Sequence, residues 1–150
     1  MFTIVLLLLT ASTPASAPRG RPLPEATLQG ILGVNVGMAV ADVRHRLAPL
    51  GVVDSRPTRD GGTKEVWRFK DTGFSWVAIR SAADGHVIWL TGYRRDGEEI
   101  PFDQLTSIRP NTDTDSIAIW HVEGANGQTV RVTARGRHRR AQVLTLMAEK

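Results

Sequence analysis

Five arginines fall within ten residues, Arg131, Arg135, Arg137, Arg139 and Arg140, with His138 among them. A guanidinium keeps its charge and grips carboxylates or phosphates through a planar fork. Concentrated at one hairpin end, these groups suit an anionic ligand or the carboxylates of a protein partner. The plainer alternative is a solvated turn whose charges keep a sheet edge from pairing. No aromatic residues interleave with the arginines to stack bases, so nucleic acid is not the expected target. Trp67, Trp76, Trp89 and Trp120 all fall on predicted strands. An exposed aromatic row would make a binding face, and a buried one would be core under the helices.

Other constellations select no chemistry. His45, His86, His121 and His138 lack ligand-like spacing. Asn111-Thr112-Asp113-Thr114-Asp115 alternates oxygen ligands as a calcium loop does, but Val122 stands where the bidentate Glu belongs. A capped polar turn fits it better. There is no Gly-x-Ser-x-Gly elbow, phosphate loop or His-Glu-x-x-His. The sequence therefore indicates no catalytic residue, metal or cofactor, and a hydrolase without a recognisable motif stays a distant alternative.

The positioning elements follow from periodicity. Met38, Val40, Val43, Leu47 and Leu50 recur at helical steps, with Pro49 and Gly51 ending the run. Strands are expected near Glu65–Lys70, Phe74–Arg80 and His86–Tyr93, joined by Asp71-Thr72-Gly73 and Ala83-Asp84-Gly85. Phe102, Leu105 and Ile108 predict a short helix behind Pro101. Ser116–Val122 and Gln128–Arg135 flank an Asn126-Gly127 hairpin signal, and Ala141–Met147 is the last strand. The expected fold is α+β: an antiparallel sheet of about six strands with one main and one short helix packed on one face. The echo of residues 76–80 in residues 129–135 suggests two αβββ halves.

The chain has 150 residues, enough for one domain, and no cysteine, which excludes disulfides, thiolate metal sites and a lipoprotein anchor. The apolar run Phe2–Leu9 followed by Ala15-Ser16-Ala17 reads as a signal peptide over residues 1–17. Residues 18–29 read as a flexible lead-in, and residues 30–150 as the single domain. The expected address is periplasmic or extracellular.

Gly33-Val34-Asn35-Val36-Gly37-Met38, then Ala41-Asp42-Val43-Arg44-His45-Arg46-Leu47 and Gly51, with Trp67, Trp76 and the Asp84-Gly85-His86-Val87 turn, resembles the SmpA/OmlA group over about residues 31–93. The resemblance implies a β-lactamase-inhibitor-protein-like fold and a protein-binding scaffold of the cell envelope, not an enzyme. Ala39 stands where that group has a Thr or Ser cap, and its anchoring cysteine is missing. The expected function is thus an exported module that binds another envelope protein. Binding an anionic envelope ligand through the Arg131–Arg140 hairpin is the alternative.

Overall fold

The structure is a computed structural model describing residues 24–149. The expected signal peptide, residues 1–17, and residues 18–23 of the expected lead-in lie outside the described residues. Residues 24–29 depart from the expected flexible lead-in. Ala26 and Leu28 are buried, and the Glu25 carboxylate accepts the Gly73 amide at 3.0 Å and pairs with Arg94 at 2.6 Å. Ile31, Val34 and Val36 then enter the core through turns and isolated bridges.

The main helix, α1, runs Val40–Leu47. Its two fully buried residues, Val43 and Leu47, are four apart and so share one face. Asp42 in the first turn favours the helix N-terminus, although Ala39 offers no side-chain cap. The predicted apolar stripe overreaches at Leu50, which is 42 % exposed because the helix has already stopped at Leu47.

The sheet has nine strands rather than about six: β1 (Gly51–Pro57), β2 (Thr63–Phe69), β3 (Phe74–Ser81), β4 (Val87–Arg94), β5 (Ile100–Pro101), β6 (Thr112–Asp113), β7 (Ile117–Glu123), β8 (Thr129–Arg137) and β9 (Arg140–Ala148). All pairings are antiparallel, in the order β1-β2-β3-β4-β9-β8-β7-β6, with β5 beside β9. The three unforeseen strands have a common reason. β5 and β6 are two residues long, and β1 shows no alternation of burial because almost all of it is exposed. The short helix α2 covers only Phe102–Leu105, leaving Ile108 59 % exposed. The first half is thus a helix plus a meander of four strands, not three; the second has β5, then its helix and a meander of four, and the last strands, β4 and β9, meet at the centre.

Register explains why one face is dry. Glu65, Ile79, Leu90, Leu146, Val132 and Trp120 are successive cross-strand partners, forming one row from β2 to β7. Every member is 2 % exposed or less. Val43 and Leu47 of α1, Phe102 and Leu105 of α2, and Ile31, Val34 and Val36 close over this face in a single core. Because side chains alternate, the neighbouring residues on each strand point to the opposite face. No helix among the described residues is long and apolar enough to cross a membrane.

Candidate binding face

The opposite face carries no second layer among the described residues, and its side chains fall into three rows. The first runs Lys64, Arg80, Trp89, Met147, Arg131, His121. The middle row is Val66, Ala78, Thr91, Thr145, Thr133, Ile119, smaller than its neighbours from β2 to β8 except beside Val143. The third runs Arg68, Trp76, Tyr93, Val143, Arg135, Ile117. Small middle residues between larger outer ones leave a trough along the sheet.

Aromatic residues line the trough. Trp76 and Tyr93 are cross-strand neighbours stacked at 5.8 Å with planes 12° apart. Trp89 stands opposite Arg80 on one side and Met147 on the other. The Thr91 and Thr145 hydroxyls bond each other at 2.7 Å, satisfying polar atoms that would otherwise need water. Three hollows, of about 660, 290 and 190 Å³, open along this face, and Trp89 borders all of them.

Cations flank the aromatics on both sides. Lys64 and Arg68 lie on β2, Arg131 and Arg135 on β8, and four strand-to-strand steps separate those strands, roughly 19 Å at the usual spacing. Among the described residues none of the four makes a salt bridge. Other cations of the face are already engaged: Arg80 pairs with Asp60 at 2.6 Å and Arg56 with Asp54 at 3.1 Å. The Thr58 hydroxyl and then Arg80 hold the Asp60 carboxyl below its usual range.

The structure divides the arginine cluster. Arg131 and Arg135 point to the open face, opposite buried Val130, Val132 and Ala134. Arg137, His138, Arg139 and Arg140 form the β8–β9 hairpin end, where His138 and Arg139 take left-handed backbone angles, φ 52° and 56°. A two-residue turn of this kind follows the twist of its strands. It is braced rather than free. Arg139 is held by Asp113 in a close ion pair and lies over the Phe102 ring at 5.8 Å. The Arg139 amide donates to the Asp115 carbonyl at 2.8 Å and the His138 amide to the Asp115 carboxylate at 3.2 Å. Arg140 donates to the Glu99 carbonyl at 2.8 Å. The expectation of several free guanidinium forks at the hairpin end therefore fails for Arg139, whose partner is internal.

The aromatic set divides as well. Trp67 and Trp120 are core residues: Trp67 Nε1 donates to the Glu65 carboxylate at 3.1 Å, and Trp120 Nε1 to the Ile108 carbonyl at 2.9 Å. Trp76 and Trp89 are half-buried on the open face. The structure thus joins two of the five arginines, Arg131 and Arg135, with two of the four tryptophans, Trp76 and Trp89, on one surface. It adds Lys64, Arg68, Tyr93 and Met147, which sequence reasoning did not single out. Alternation within β2 and β4 could have flagged the first three, whereas the approach of β9 to β4 has no local signal.

No group of three or more His, Cys, Asp or Glu able to hold a metal occurs among the described residues. The one fully buried carboxylate among the described residues, Glu65, lies on the covered face and is satisfied by Arg44 at 2.6 Å and by Trp67. No family model, curated protein or solved structure matches the chain.

Proposed function

We propose that this protein is an exported, non-catalytic binding module. Its open sheet face holds an acidic, apolar-centred segment of another cell-envelope protein. One observation carries the reading: an uncovered aromatic trough of Trp76, Trp89 and Tyr93, flanked by Lys64, Arg68, Arg131 and Arg135, none with an acidic partner among the described residues. Aromatic floors supply contact area at low entropic cost, and unpaired cations at the margins favour a negative partner. The resemblance of residues 31–93 to SmpA/OmlA proteins supports a scaffold role, and the leader-like residues 1–17 support export.

Two synthetic peptides with one apolar centre test the proposal, one flanked by glutamates and one by lysines. The acidic peptide should bind, more weakly as salt rises, and the Trp89→Ala variant should lose it. Equal binding of both peptides, or of neither, sinks the reading. The alternative is an anionic ligand at the hairpin, favoured by the hollow of about 470 Å³ that Arg137, His138 and Arg140 line together with Gln142 and the carboxylate-bearing Glu99. Binding of inorganic polyphosphate that Arg137→Glu with Arg140→Glu abolishes, and that Trp89→Ala spares, would put that alternative first. Export has its own check: mass spectrometry of protein recovered outside the cytoplasm should find a start at Ser16 or Pro18. Intact Met1 in a protein confined to the cytosol would refute it.

A further inference from the structure

The two ends of the sheet are finished differently. At the far end β7 is partly covered by β6, and Asn111 supplies its own amide and side chain to the Ile119 carbonyl and the His121 amide. At the near end β1 pairs with β2 through seven unbroken register positions, from Gly51↔Phe69 to Pro57↔Thr63, with no bulge. No element among the described residues pairs with its outer side. Val52 is 71 % and Val53 44 % exposed, with Leu50 at 42 % beside them.

The direction of the β1 backbone groups can be assigned. Thr58 donates its amide to the Gly62 carbonyl at 2.9 Å, continuing the β1–β2 register. In an antiparallel ladder alternate residues aim their backbone groups to the same side. Arg56, Asp54 and Val52 therefore face β2, and Gly51, Val53, Ser55 and Pro57 face outward. Pro57 has no amide, so its place on the outward side breaks no bond within the sheet. The outer edge is a three-residue template, Gly51, Val53 and Ser55, whose outward donors and acceptors pair with no other strand among the described residues.

We propose that this edge pairs with the same edge of a second copy of the chain, antiparallel about a two-fold axis at Val53. In that register Gly51 faces Ser55 of the other copy and Val53 faces its counterpart, which gives roughly six backbone hydrogen bonds and avoids both Pro57 residues. The two Val53 side chains meet on the helix-covered side, where each is now partly exposed. Asp54 faces Val52 of the other copy. A shift of one residue in each copy toward Pro57 would instead set Asp54 opposite Asp54, and like charges there are unfavourable. Such an interface is isologous, the commonest kind in symmetric dimers. This proposal does not depend on the open-face reading.

The absence of native cysteine gives a direct test. Residues facing each other in such a pair have Cα atoms about 5.5 Å apart, within disulfide range. Mild oxidation should crosslink Val53→Cys into a dimer and leave Ser55→Cys monomeric. In sedimentation velocity the parent should associate reversibly. Val53→Pro, which removes only an outward amide, should weaken that association at least about tenfold. If Val53→Pro lowers the thermal midpoint, Val53→Lys serves in its place by setting two charges face to face. A parent that stays monomeric at its highest soluble concentration, or crosslinking by Ser55→Cys in place of Val53→Cys, overturns the proposal.

Discussion

Glu65 shares its row with Ile79, Leu90, Leu146 and Val132, and is 2 % exposed. A carboxylate survives there because Arg44 reaches down from α1 and the Trp67 indole donates from the same face. Removing one partner of a buried pair leaves an uncompensated charge, whereas removing both can be nearly neutral. Arg44 is half exposed, so Arg44→Ala should cost roughly 1–3 kcal/mol in urea melts, and adding Glu65→Leu should recover most of it. An additive double variant would refute this coupling. Asp60 offers a pH test. Its carboxyl is held below the usual range by the Thr58 hydroxyl and then by Arg80. A depressed folded-state pKa contributes stability above the unfolded value, about 4, and loses it as pH falls through the folded value. Thr58→Ala should move the Asp60 titration, followed by NMR, toward higher pH. Neither role was legible in the sequence. Alternation sets the phase of Glu65 with Trp67 and Phe69, but which arginine comes over it depends on where α1 lands.

Among the elements, α1 was legible because Val43 and Leu47 keep helical spacing whatever lies beneath them. Leu47→Ala should cost about 2–5 kcal/mol through lost burial and a cavity, while exposed His45→Ala should stay within about 0.5 kcal/mol. Similar costs in urea melts would mean that the helix is rotated. The β8–β9 hairpin was legible as strands and opaque as a site. Nothing near Arg139 in sequence announces Asp113, which lies across the turn on β6. Arg139→Glu should lower the thermal midpoint, because it sets a carboxylate against Asp113 and Asp115. Arg137→Glu should leave the midpoint unchanged. Equal midpoints would show that the hairpin end is not braced as described. β1 escaped notice because Gly51-Val-Val-Asp-Ser-Arg-Pro57 lacks polar-apolar alternation, and only its backbone pairing with β2 makes it a strand.

At the scale of the molecule, the open face exists because both helices and residues 26–36 close on one side of the sheet. Charge reversal at either margin, Lys64→Glu with Arg68→Glu or Arg131→Glu with Arg135→Glu, should weaken an acidic probe peptide about tenfold at low salt. The loss should shrink as added ions screen beyond about 8 Å. If only the β8 pair matters, the β2 margin has no part in binding. The α+β class was readable from hairpin signals and helix period, but the placing of Trp76 and Arg135 in one row was not. Those residues come from different halves and share a row only because β4 pairs with β9. That central pairing, Trp89↔Met147 to Tyr93↔Val143, is the chief ladder joining the halves, since the remaining strand pairs stay within one half. The connection across it passes through Asp96 and Gly97, both exposed. The molecule is therefore organised as two complementary pieces on one thread. Cut between Asp96 and Gly97 and supplied as separate fragments, each piece would bare one unpaired strand edge, β4 in one and β9 in the other. Mixing them should restore a single cooperative melt.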